Sequence, residues 1–390
     1  MTLRHLWAAA LVCAGLAACG GSSDGGGGGI GGTGGTLHVV LTDAPSCGYD
    51  AVNITVDRVR VHQSSTAADS DAGWSEIVLS PARRVDLLTL SNGVLEDLGQ
   101  TALPAGTYTQ LRLVLAANDA TNPLANSVVP TGGSETALTT PSAQQSGLKM
   151  NVQIEVASNK VADVVLDFDA CKSVVKRGNS GQYNLKPVIT VVPFLSDAGL
   201  RVVGYLDPTL AADSTQVSLQ QAGVVVKATA PNAAGQFVLY PVPIGSYDLV
   251  VTSAGRATVV ITGVPVVDTA FTTLNGTATP FVPPTSATRT VTGTVTPATA
   301  TVRALQPLTG GPTIEAAWAP VDATSGAFSV DLPIAAPLKA AYVASPSTPT
   351  FTPDSTVAGK YTLEAASAGA TKTQAIDTNA AVPPVTFAFP

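Results

Sequence analysis

The chain has 390 residues, 45% hydrophobic and 12% charged, which is ample material for buried cores and excludes an intrinsically disordered protein. Its formal charge of -7, with 20 Lys and Arg spread without a basic cluster, excludes nucleic acid as a partner. Beyond the N-terminus no apolar run is long enough for a membrane-spanning helix, and the alternating pattern is interrupted too often for an outer-membrane barrel.

Arg4 and His5 precede an apolar run over residues 6–18, too short to span a bilayer but ordered like a signal peptide. The run ends in Leu16-Ala17-Ala18-Cys19, which resembles the lipobox of bacterial lipoproteins. The resemblance implies removal of residues 1–18, lipidation of Cys19 and acylation of the new N-terminus. The alternative is an ordinary signal peptide in which Cys19 is incidental. Several acyl chains give stable anchoring where one is marginal, since each buried methylene contributes about 0.8 kcal/mol. Gly20 stands where an inner-membrane retention signal would resemble an aspartate, which predicts an outer-membrane lipoprotein, periplasmic or surface-exposed. Residues 19–36 then form a Gly-rich tether, holding the first domain about 20–25 Å from Cys19 as a random coil.

From Leu37 the sequence alternates with period two, the mark of half-buried strands. Leu37, Val39 and Leu41 alternate with His38 and Val40 before a turn at Thr42-Asp43-Ala44-Pro45. Val52, Ile54 and Val56 share a face, and Val59 and Val61 fall out of phase with them, which predicts a β-bulge at Asp57-Arg58. Further strands are predicted over residues 111–115, 152–156, 164–168 and 188–192. Residues 85–98 predict a helical turn or two, broken by Asn92-Gly93. Many short strands with Gly and Pro turns predict an all-β fold of sandwiches.

The motifs LHVVLTDAP (37–45), VNITVDRVRVH (52–62), Gly73-Trp74, VDLLTLSNG (85–93), LPAGTYTQLRLVL (103–115), VLDFDACKSVV (165–175) and YNLKPVI (183–189) occur in this order. They resemble the bacterial lipoprotein family catalogued as domain of unknown function 4382, over residues 37–194. The resemblance implies an extracytoplasmic domain behind a lipobox and carries no established activity.

A second unit follows, and it repeats. Gly204-Tyr205-Leu206-Asp207-Pro208 matches Gly293-Thr294-Val295-Thr296-Pro297, and Asn232 to Phe237 matches Asp322 to Phe328 with one insertion. Gly235 and Gly326 stand where a hairpin turn needs positive φ, and Phe237 and Phe328 restart an inward-facing strand. Residues 202–267 resemble the carboxypeptidase regulatory-like, transthyretin-type β-sandwich. The third unit departs from it through a Ser/Thr/Pro-rich insertion at residues 344–356, and residues 279–286 are predicted to be a stiff Pro-rich joint. Tyr108, Tyr247 and Tyr361 each follow a glycine by two residues, and are predicted to be core or corner tyrosines bonding backbone. The expected organisation is a signal peptide (1–18), a lipidated Cys19 with its linker (19–36), and three tandem β-sandwiches at 37–195, 199–280 and 287–390.

Candidate chemistry is sparse. With Cys19 lipidated, Cys47 and Cys171 remain, and two thiols in an oxidising compartment most simply form a disulfide; a redox or metal pair is the alternative, without a CxxC spacing. The chain-entropy model assigns a loop of that length about 4–5 kcal/mol. Asp167 and Asp169 project from the same side of a strand. With Asp43 or Asp163 they could hold calcium or act as an acid/base pair, or they form a solvated face paired with Lys172 or Arg177. His38 and His62 lack ligand-spaced companions, so they are read as ordinary strand histidines rather than zinc ligands. Gly178-Asn179-Ser180-Gly181 has a faint nucleophile-turn character with no identified base. Trp74 and Trp318 show no aromatic cluster suited to a carbohydrate platform.

These features predict a non-catalytic, lipid-anchored envelope protein that binds, adheres or spaces. No cofactor is expected; the expected partners are the membrane, through the lipid, and an envelope glycan or protein. The alternatives are an envelope hydrolase using Asp167 and Asp169, and a calcium-dependent ligand-binding protein using the same carboxylates.

Overall fold

Period-two alternation becomes strand along the whole described chain. The computed structural model describes residues 34–43, 48–140, 146–194, 199–210, 214–345 and 347–390. The signal segment, Cys19 and Cys47 lie outside the described residues.

The first sandwich is built from β1 (Gly35–Asp43), β2 (Tyr49–His62), β3 (Ser75–Asp86), β4 (Glu96–Leu103), β5 (Gly106–Leu115), β6 (Ser127–Pro130), β7 (Thr136–Thr139), β8 (Leu148–Val156), β9 (Val161–Phe168), α1 (Ala170–Ser173), β10 (Val174–Lys176), β11 (Tyr183–Leu185) and β12 (Ile189–Phe194). Strands β12-β9-β1-β4 form one sheet, and β10-β11-β7-β6-β2-β5-β8, with β3 on β2, form the other. Leu37, Val39, Leu41, Leu166 and Phe168 of the first sheet meet Ile54, Val61, Leu111 and Leu113 of the second in one core. The pairing of β2 with both β3 and β5 slips between Val56 and Arg58. That bulge lets Val52, Ile54, Val56, Val59 and Val61 all enter the core despite the change of phase. The segment expected to be a broken helical turn is a 3₁₀ turn, Leu87–Leu90, capped by Asp86 and followed by Asn92 at φ 62°.

The second sandwich contains β13 (Val202–Tyr205), β14 (Thr215–Gln221), β15 (Val224–Thr229), β16 (Gln236–Leu239), β17 (Gly245–Ser253), β18 (Val259–Val266) and β19 (Thr272–Thr273). The third contains β20 (Thr288–Thr296), β21 (Thr301–Pro307), β22 (Thr313–Ala319) and β23 (Ala327–Pro333), then, after β24 (Leu338–Ala341) and β25 (Thr352–Pro353), β26 (Lys360–Ser367), β27 (Ala370–Asp377) and β28 (Val385–Ala388). The sheets match one for one: β16-β13-β19 with β23-β20-β28, and β15-β14-β17-β18 with β22-β21-β26-β27. Gly204 pairs with Phe237 and Gly293 with Phe328. In each copy a Cβ on the glycine would lie 2.4 Å from the phenyl ring, so only glycine lets that ring pack across its strand. The internal repeat read from the sequence is therefore a repeat of topology and of packing.

All three tyrosines bond backbone as expected, Tyr108 and Tyr247 as local corners four residues back and Tyr361 across to the end of β23. Tyr108 Oη donates to the carbonyl of Pro104 at 3.1 Å, Tyr247 to Pro243 at 2.8 Å and Tyr361 to Pro333 at 2.7 Å.

Two expectations about the joints change. Residues 279–286 do not stand as a separate stiff joint but are fastened along the second sandwich, through Phe281 N to Tyr205 O, Ala257 N to Pro284 O and Ser286 N to Gly255 O. The divergent stretch of the third unit leaves its own sheets: β24 pairs in parallel with β18, and β25 pairs with β24, so the sheet of the second sandwich is extended by the third. Val250 and Val260, on the back of that sheet, are covered by Leu308 and Ile314 of the third sandwich.

Candidate functional site

Strand β9 turns Val164, Leu166 and Phe168 into the first core, which puts Asp167 on the opposite face. That face is not solvated. Val40, Val165 and Val192 line it, and Leu95 joins them to the core of the second sandwich. Asp167 meets Lys227 of β15, Nζ to Oδ1 2.6 Å, with both side chains buried. Burial pushes the Asp167 carboxyl above its ordinary pKa, and the Lys227 ammonium pulls it back without cancelling the rise.

Asp169 follows the end of β9 and caps α1, accepting from Lys172 N at 3.0 Å. Its carboxyl is raised, chiefly by burial, against the pull of Lys172. Lys172 is the partner expected for this carboxylate, with Nζ 3.6 Å from Asp169 Oδ2, but it lies closer to Glu315 of the third sandwich, at 3.0 Å. Arg303 reaches Glu315 at 3.3 Å and Glu364 at 2.7 Å, and donates to the carbonyl of Gly223 at 2.7 Å. Gln220 and Glu315 exchange two bonds: Gln220 Nε2 donates to Glu315 O, and Glu315 N donates to Gln220 Oε1. The three sandwiches therefore meet at a charged, hydrogen-bonded junction. Arg177, the other partner considered, bonds Gln182 instead.

Asp43 is separate from this pair. It continues the inward-facing series of Leu37, Val39 and Leu41, and its Oδ1 accepts from Ala170 N at 2.9 Å while Oδ2 has no partner among the described residues. Burial raises its pKa well above the ordinary value. Asp43 and Asp167 thus leave their sheet on opposite faces, and among the described residues no three His, Cys, Asp or Glu side chains gather as a cation-binding group.

A cavity of 390 Å³ opens at the junction, lined by residues of all three sandwiches, including Asp169, Lys172, Gln216, Thr252, Trp318 and Asp331. Lys172 Nζ lies 4.9 Å from the centroid of the Trp318 indole. A second cavity of 420 Å³, lined more by apolar groups such as Val188, Ala300 and Val321, shares Trp318 and Lys172 with the first. Trp318 carried no distinguishing mark in the sequence, because the groups around it come from distant segments.

The remaining candidates are locally satisfied. His62 lies beside Trp74, with Nε2 3.0 Å from Ala72 O and Nδ1 accepting from Ser64 N. His38 is held between Asp163 and Asp97. Ser180 donates its hydroxyl to Arg177 O, and Gly178 N donates to Asp322 of the third sandwich, so this turn is a packing contact. Trp74 is clasped by Arg60 and Arg112, each 4.5 Å from its centroid, and offers no open platform.

Residues 34–187 match the family described as Domain of unknown function (DUF4382). The resemblance read from the motifs of this stretch therefore holds for the first sandwich. No curated protein matches the chain. Two solved structures are similar over short stretches, both type II cohesin–X-dockerin complexes from Acetivibrio cellulolyticus. The N-terminal interface mutant has 21% identity over 23% of this chain, with a TM-score of 0.19. The C-terminal interface mutant has 25% identity over 22% of this chain, with a TM-score of 0.18. The matched stretches span 59% and 56% of those chains, and the likeness is too slight to transfer a fold or a partner.

Proposed function

We propose that the chain is a non-catalytic outer-membrane lipoprotein, anchored through Cys19, that presents a binding cleft at the junction of its three sandwiches. The observation that carries this reading is the 390 Å³ cavity beside Trp318, which combines an indole, amide and hydroxyl groups and the carboxylate of Asp331. That set suits a polar ligand with apolar faces, such as an envelope glycan or an extended peptide. Of the two carboxylates that would serve a hydrolase, Asp167 is away from the cavity and paired with Lys227, and Asp169, which lines the cavity, is engaged in capping α1 and beside Lys172. The proposal includes a Cys47–Cys171 disulfide, which leaves no thiol to alkylate in the mature protein.

Purified full-length protein mixed with purified peptidoglycan, and separately with outer-membrane polysaccharide, tests the reading by co-sedimentation with product analysis of the supernatant. Binding that is lost in Trp318→Ala and kept in Asp167→Asn, with no product released, is expected. Release of a defined product that stops in Asp169→Asn would replace the binding module with an enzyme.

A further inference from the structure

The large apolar side chains left exposed on the described residues include Ile244 at 62%, Phe271 at 59% and Val267 at 40%. These three lie together at one end of the second sandwich. The β17–β18 ladder ends at Gly245 opposite Val266, so Ile244 and Val267 are the next positions outward on the two strands. Leu200 N donates to Val267 O, and Val242 N to Leu200 O, which closes this end around the incoming chain. Thr272 N donates to Arg201 O and its hydroxyl to Pro265 O, which fixes Phe271 beside the same ladder end. Nothing in the described chain covers the three side chains. Large apolar groups gathered at a loop end in this way mark a contact surface.

The course of the chain says what that surface meets. Gly34, where the described chain begins, enters β1, and β12 runs back along β9 so that Phe194 pairs with Asp163, which also pairs with His38 near the start of β1. The tether therefore enters the first sandwich, and the crossing to the second leaves it, at one end. The crossing from Phe194 to Gly199 is five residues and spans at most about 18 Å. Cys19 lies fifteen residues before Gly34 and reaches at most about 50 Å from it. A bilayer holding a lipid on Cys19 is thus within reach of the Ile244–Val267–Phe271 patch. Tethering also keeps the local concentration of lipid surface high, so a small patch suffices to hold an orientation. Lys160, exposed beside the start of β1, suits anionic headgroups, and Asp268 in the patch loop would stay at the hydrated level.

We infer that Ile244, Val267 and Phe271 rest in the headgroup–acyl boundary of the membrane that carries the lipid on Cys19, and fix the orientation of the sandwiches on it. The inference depends on the proposed lipidation of Cys19. Its test reports on the two separately.

Full-length protein, expressed with its own N-terminal segment in a bacterial host and purified from the cells, is reconstituted into phosphatidylethanolamine–phosphatidylglycerol vesicles whose acyl chains are brominated close to the headgroup. Phe271→Trp adds a reporter in the patch. Val282→Trp adds one beside Phe281, which bridges to Leu206 at the far end of β13 from Leu200. Flotation with the vesicles, with emission lost at position 271 and retained at position 282, is expected. Flotation without quenching at 271, or with equal quenching at both positions, overturns the membrane contact and leaves the anchor standing. Failure to float overturns the anchor and the contact that rests on it.

Discussion

Lys227 of β15 places its Nζ 2.6 Å from Oδ1 of Asp167 on β9, and this buried pair ties the second sandwich to the first. Removing one partner leaves a charge stranded in a dry interface, at a cost of about 3–5 kcal/mol, whereas replacing both by apolar residues is close to neutral. Lys227→Met and Asp167→Leu are each expected to lower the urea midpoint strongly. The double variant should recover most of the loss. A double variant no better than the worse single one would show that packing, not charge, holds the interface.

Asp43 gives a pH dependence of definite sign. Its folded pKa is raised, so its stabilising contribution is complete below the unfolded value of about 3.9 and is lost as pH rises through the folded value. Asp43→Asn keeps the acceptor for Ala170 N and cannot ionise. The variant is expected to be more stable than the wild type at neutral pH and equal to it near pH 4, by thermal unfolding across that range. Equal stability at both would mean that the buried carboxyl does not resist ionisation.

His38 acts in a higher window. Burial lowers its pKa, but hydrogen bonds to Asp163 at 2.7 Å and Asp97 at 3.1 Å outweigh this, and the value is raised overall. The imidazolium links β1 to β9 and β4. Its contribution is fully present below about pH 6.5 and disappears as pH rises through the folded value. His38→Gln should remove that part of the pH profile while leaving the Asp43 part in place. NMR titration of the ring checks the direction of the shift.

Asn92 is a second fastening between the first two sandwiches. Its Nδ2 donates to Gln236 O at 3.2 Å, and its Oδ1 accepts from Val238 N at 2.5 Å. Each bond is worth about 0.5–1.5 kcal/mol, and the residue also holds φ 62°, where asparagine is tolerated and alanine is strained. Asn92→Gly relieves the backbone but loses both bonds, and Asn92→Ala loses both and adds strain. The expected order of stability is wild type, Gly, then Ala. Hydrogen exchange at Val238 should rise in both variants.

The sequence by itself determined the features that depend on near neighbours. Alternation over residues 37–41, 52–56 and 111–115 specified strands, and the slip of phase at Asp57 specified a bulge, because a one-residue change of register turns side chains to the other face. The matched glycine, turn and phenylalanine positions specified two copies of one topology, and the Gly-x-Tyr spacing marked three buried tyrosines that bond backbone. It also singled out Asp167 and Asp169, spaced two apart on one strand, with Asp43 or Asp163 as a companion.

What those carboxylates do was decided only by the tertiary structure. Lys227 lies 60 residues from Asp167, and Glu315 lies 143 from Lys172. No local period connects such groups. Strands β17 and β18 did carry a trace of the junction, since Leu249-Val250-Val251 and Val259-Val260-Ile261 are apolar on both faces, as covered strands are. An apolar outer face says that something covers it and not what. For Val250 and Val260 the cover is Leu308 and Ile314 of the third sandwich, whereas the Asp167 face, read as solvated, is buried against Lys227 and the second sandwich.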